Sequence, residues 1–176
     1  MSLMDLTTNY FELFGIPVSY SVDKGRLAES YRELQQLFHP DRFASSSAQE
    51  RRLSLQMASR INEGNRVLRD PIERARYLLE LNEVDLGTDG ETLRDNQFLL
   101  EQMELREELD EIQHGSDPGS ALDRFVMQMD ERIREQGEQF TRQWESSHEE
   151  ARQTIQRMQF FSRLYHQAET MLDDLI

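Results

Sequence analysis

The triplet His39-Pro40-Asp41 sets an imidazole, a rigid ring and a carboxylate side by side. Pro40 stiffens the backbone, Asp41 offers a carboxylate to a partner's arginine, and His39 can donate or accept a hydrogen bond. Taken alone the tripeptide is a weak signal, and a helix-ending turn in which Asp41 caps a local group accounts for it. The remaining chemistry is sparse. The chain has no cysteine, which excludes disulfides, thiolate catalysis, zinc fingers and thiolate ligation of an iron–sulfur cluster. His39, His114, His148 and His166 have no metal-ligand spacing, and four positions after His148 stands Arg152 rather than a second histidine. No glycine-rich phosphate loop is found. The many Asp and Glu residues fall on amphipathic helices, where such runs are solvated faces far more often than acid–base pairs. The expectation is a protein that is not an enzyme and holds no cofactor or metal.

The elements that must position the triplet are helical. A short helix over about Asn9 to Phe14 ends at Gly15-Ile16-Pro17. A second, capped by Asp23, carries Leu27, Tyr31, Leu34 and Phe38 on one face. It must stop by His39, because Pro40 disfavours a helical residue before it. Arg42 to Ser47 reads as a loop, and a third helix runs from Ala48 to Arg69 with Met57, Ile61 and Leu68 inward. Asp70-Pro71 supplies an N-cap and a first-turn proline for a fourth helix ending at Leu81. The acidic, glycine-containing stretch 83–92 reads as a linker. Three more helices are expected over about Glu91 to Gln113, Ala121 to Ser146 and Glu149 to Leu175. The middle one has Leu122, Phe125, Met129, Ile133, Phe140 and Trp144 inward, and the last has Phe161, Tyr165, Ala168 and Leu172. No strand pattern is found, so the expected fold is all-α: a helical hairpin domain at 1–82 and a three-helix bundle at 93–176.

A length of 176 residues permits one compact domain or two small ones. Charge supports two. Residues 1–82 carry 11 basic and 11 acidic side chains, whereas 83–176 carry 9 and 23, which accounts for the whole net charge of -14. An acidic second half repels nucleic acid and suits a protein partner with basic groups. No apolar run is long enough to span a membrane, and the first residues lack the basic and apolar stretches of a secretory signal. A cytoplasmic location is expected.

The segment from Phe98 to Ile112 is apolar on two sides. With Phe98 at zero on a helical wheel, Leu105, Leu109 and Ile112 fall within about 40° of it, enough for a core face. Leu99, Met103 and Leu100 fall at about 100°, 140° and 200°, edged by Glu107, Glu111 and Glu104. Either both sides are buried in a tight bundle, or the second is an exposed apolar patch with a charged rim, which reads as a protein-binding surface.

The triplet follows an amphipathic helix ending YRELQQLF and precedes one ending SRINEGNRVLRDP. With the NYFELFGIP opening and the RARYLL stretch, this resembles a J-domain over about Thr8 to Leu81. In that family the His-Pro-Asp loop stimulates ATP hydrolysis by DnaK-type chaperones. The resemblance implies that role for His39, Pro40 and Asp41, with Arg32 on the basic face of the second helix and Arg42 after the triplet. Glu33 and Leu37 stand where many members carry basic residues, which implies weaker steering and a dedicated chaperone. Gly64-Asn65 replaces a small residue followed by an aromatic. Glycine within a helix costs about 1 kcal/mol relative to alanine, so looser hairpin packing is expected there.

FLLEQMELREELDE and RMQFFSRL extend the likeness along nearly the whole chain to the HscB-type co-chaperones. These bring the iron–sulfur scaffold IscU to the chaperone HscA and stimulate its ATPase. The resemblance implies an HscA-like and an IscU-like partner. It places the scaffold site at Leu99, Leu100, Met103, Glu104, Glu107 and Glu111, with Phe160 as an edge contact about 100° from Phe161. The alternative is a general J-domain protein with a different client.

Overall fold

The computed structural model describes residues 5–87 and 95–176, and among these it is all-helical. The helices are α1 (Tyr10–Leu13), α2 (Lys24–Leu37), α3 (Ala48–Arg69), α4 (Pro71–Leu81), α5 (Asn96–Gln113), α6 (Pro118–Gln143) and α7 (His148–Asp173). They fall into two compact units divided between Leu78 and Leu79, in the last turn of α4. Residues 88–92 of the expected linker, the first two residues of the expected bundle domain and the first turn of the expected fifth helix lie outside the described residues.

In the first unit the helix starts are fixed by side-chain caps. Asn9 and Ser47 form reciprocal capping boxes with Glu12 and Glu50. Asp23 accepts from the Gly25 and Arg26 N–H groups. Lys24, the only lysine of the chain, is exposed in the first turn of α2. Leu27, Phe38, Met57, Ile61 and Leu68 are buried, as their spacing requires, with Tyr31 and Leu34 half-buried. The triplet runs directly into a 3-10 turn over Pro40–Phe43, so the start of the expected loop, Arg42 and Phe43, is more regular than expected.

Gly64 overturns the expectation of loose packing. A β-carbon there would stand 2.9 Å from ring atoms of both Phe14 and Tyr10. The glycine is the slot into which the rings of α1 and its C-cap press. Tyr10 also stacks on Tyr77, centroids 4.7 Å apart, and its N–H donates to the Tyr77 hydroxyl at 3.0 Å. Arg60 lies 5.0 Å from the Tyr10 ring centre, within cation–π range.

The second unit contains α5, α6 and α7. Asp95 caps α5 and Asp117 caps α6, with Pro118 in the first turn. That proline-assisted cap starts α6 three residues earlier than expected. Leu122, Phe125 and Met129 of α6 are buried and share a core with Phe161, Leu164 and Ala168 of α7, with Ile133, Tyr165 and Leu172 packed at its margin; Phe140, further along α6, is also buried.

Candidate functional site

The triplet sits at the tip of the α2–α3 hairpin. Helix α2 ends at Leu37, and Phe38, buried, anchors the chain as it leaves the helix. The buried Ser54 hydroxyl donates to the Phe38 carbonyl at 3.2 Å, tying α3 to the base of the loop. His39, not Asp41, makes the local cap: its Nδ1 accepts from the Asp41 N–H at 3.3 Å. In the neutral ring that places the proton on Nε2, leaving an N–H for a partner. Asp41 Oδ2 lies 3.6 Å from the same Nδ1 and is almost wholly exposed. Its carboxylate is therefore free to meet an arginine. Arg42 turns back and donates from Nη1 to the Gln36 carbonyl at 3.2 Å, which splints loop to helix.

Beside the loop runs an open groove of about 930 Å³. Arg32, Gln35 and Gln36 of α2 and Ala58, Ile61 and Asn62 of α3 line it, with His39, Pro40 and Arg42 at its end. The structure thus brings Arg32 and Arg42 together with the triplet. It adds Gln35, Gln36 and Asn62, which sequence reading did not single out. Their signal is positional: Gln35 and Gln36 stand in the last turn of α2, directly ahead of the triplet. Tyr31 donates to Asn62 Oδ1 at 2.8 Å and Gln35 Nε2 donates to the Tyr31 hydroxyl at 2.7 Å, so the groove edge is a hydrogen-bonded rail between the two helices. Glu33 and Leu37 are exposed, the positions at which a more basic α2 would carry charge.

The two readings of α5 separate cleanly. Phe98, Leu105 and Leu109 are buried, with Ile112 packed against them. Leu99, Leu100 and Met103 are 48%, 60% and 58% exposed. Glu104, Glu107 and Glu111 are exposed around them. Phe160 does not join that surface. It is 2% exposed and belongs to the core, edge-on to Phe98 at 5.6 Å and to Phe161 at 5.7 Å. The expected edge contact is corrected, because Arg106 lies over the Phe160 ring at 5.3 Å and the neighbouring rings occupy its other sides.

Arginines hold α5 against its neighbours. Arg157 of α7 lies 5.3 Å from the Phe98 ring centre and pairs with Asp95. Arg132 of α6 lies 5.6 Å from the Phe161 ring centre and pairs with Glu101. The Phe98 N–H bond to Asp95 holds that carboxyl below its usual range, with Arg157 adding to the effect. The patch therefore rides on a helix pinned by ion pairs at its first two turns.

Among the described residues no group of three or more His, Asp or Glu side chains is placed to hold a metal ion. No helix among them is long and apolar enough to cross a membrane.

Residues 94–169 match a family model described as the HSCB C-terminal oligomerisation domain. A co-chaperone protein HscB homolog of Shewanella halifaxensis is 40% identical over 171 residues, covering 95% of this chain and 98% of the relative. The homolog of Vibrio vulnificus is 51% identical over 117 residues, 66% of this chain and 68% of the relative. Among solved structures, the chaperone HscB from Vibrio cholerae superposes with a TM-score of 0.84 at 36% identity, over 96% of this chain and 100% of that one. Human co-chaperone protein HscB gives 0.85 at 28% identity, over 95% and 83%. Identity of this level along almost the entire length places the chain in the HscB family of co-chaperones.

Proposed function

We propose that this chain stimulates ATP hydrolysis by an HscA-like chaperone of the DnaK type and delivers an IscU-like iron–sulfur scaffold protein to it. The work is done in the cytoplasm in support of cluster assembly. The chain is an adaptor and not an enzyme: the chaperone hydrolyses ATP. His39, Pro40 and Asp41, with Arg32 and Arg42 along the groove, form the chaperone-facing site. Leu99, Leu100 and Met103, rimmed by Glu104, Glu107 and Glu111, form the scaffold-facing site, and Phe160 lies in the core against Phe98 of the same helix.

The observation that carries this reading is the presence of two surfaces in one family member. One is a rigid loop with free imidazole N–H and carboxylate groups. The other is an apolar patch left in water on a helix whose opposite face is packed. Linking them on one chain raises the local concentration of client at the chaperone.

The deciding experiment is steady-state ATP hydrolysis by an HscA-type chaperone with the scaffold present. Wild type should stimulate strongly. His39→Gln should abolish stimulation while leaving scaffold binding intact. Normal stimulation by the variant would remove the loop from the mechanism. No stimulation by wild type, together with no scaffold capture, would favour a general J-domain protein with another client.

A further inference from the structure

We propose that Met103 is an oxidation-controlled gate on the α5 patch: conversion of its thioether to the sulfoxide by a peroxide closes this surface to the scaffold. This rests on the assignment of the patch to the scaffold.

The chain has no cysteine, so methionine supplies all of its sulfur. Among the described residues, Met57, Met129 and Met158 are buried and Met171 is half-buried. Met103 and Met127 are open to solvent, 58% and 72% exposed. Their surroundings differ. Met103 has exposed Leu99 and Leu100 one turn before it. Met127 has Asp123, Arg124, Asp130 and Glu131 at its helical neighbour positions, all exposed. One accessible sulfur therefore lies in an apolar patch, and the other stands alone among charges as an internal control.

In the reaction the peroxide O–O bond breaks and one oxygen forms an S–O bond. Sulfur loses two electrons, the peroxide is reduced and water leaves. A flexible apolar side chain becomes a polar one with a strong acceptor oxygen. Glu104 and Glu107 beside it present acceptors only. The nearest cation along the helix, Arg106, is stacked over Phe160. Covering the patch would then desolvate the sulfoxide oxygen, which is unfavourable without a donor. The change is reversible by methionine sulfoxide reductase, so the device can be reset.

The test exposes the full chain to hydrogen peroxide, removes the oxidant, measures sulfoxide at each methionine by peptide mass and then titrates with untreated IscU-type scaffold. Oxidised wild type and oxidised Met127→Leu should bind at least tenfold more weakly than before treatment. Oxidised Met103→Leu should bind as its untreated form does. Sulfoxide reductase should restore the wild type. Unchanged affinity with Met103 fully oxidised, equal loss in the Met103→Leu variant, or resistance of Met103 while Met127 oxidises would each overturn the proposal. If untreated wild type does not bind the scaffold, the patch assignment itself fails and the gate falls with it.

Discussion

Leu99, Leu100 and Met103 hold apolar surface in water on a helix that is packed on its other side. Changing all three to alanine removes little buried contact, so each should alter stability by no more than about 0.5 kcal/mol. Scaffold affinity should fall steeply with helicity unchanged; circular dichroism beside a binding titration measures both. Collapse of helicity would mean that these side chains are structural. The wheel placed all three correctly but could not choose between a buried and an exposed second face, because both give the same pattern. Phe160 shows the same limit. Phe160 and Phe161 are adjacent, and a single periodic face accommodates Phe161 and leaves Phe160 at its side. The bundle buries both, since Arg106 covers the outer ring. A cation over a ring leaves no periodic trace in a sequence. His39 is a similar case: the triplet was legible, but its own role as the cap of the following turn was not, because an imidazole is a less usual cap than a carboxylate.

At the scale of elements, the helices whose ends carry strong local chemistry are legible in the sequence. α3 and α4 begin where Ser47 and Asp70-Pro71 require. The start of α6 lies earlier than the sequence suggests because HGSDPGS has the composition of a continuous break, although Asp117-Pro118 is itself a cap followed by a first-turn proline. The sharpest correction is Gly64. Propensity alone reads it as a weak point in α3, whereas contact with Tyr10 and Phe14 makes it the point where α1 docks. Gly64→Ala should therefore destabilise the first unit by about 1–3 kcal/mol, the range for overpacking, despite the better helix propensity of alanine. Thermal or urea unfolding of the variant measures this. A gain in stability would show that propensity outweighs the clash.

At the scale of the molecule, charge and structure divide the chain at nearly the same place. The excess of carboxylates lies beyond residue 82, and the compact units part between Leu78 and Leu79. Composition was enough to suggest two units, since a neutral half followed by a half of net charge -14 is hard to reconcile with one uniform surface. It could not show that α4 runs across the division. The carboxylate rim of α5 gives this asymmetry a consequence for binding. Scaffold affinity should decline as salt is raised across the range where the Debye length shrinks from about 10 Å to 3 Å. Affinity that ignores salt would confine the contact to the apolar patch. Stimulation of the chaperone by the first unit, which carries 11 basic and 10 acidic side chains and has Glu33 and Leu37 exposed on α2, should respond less. The solitary Lys24 carries a practical consequence. With nineteen arginines and a single lysine, acylating reagents find one side-chain amine. It stands in the first turn of α2, about 20 Å along the helix from the His39 loop. A dye or surface linker joined there would label the hairpin at one address and leave its working tip untouched.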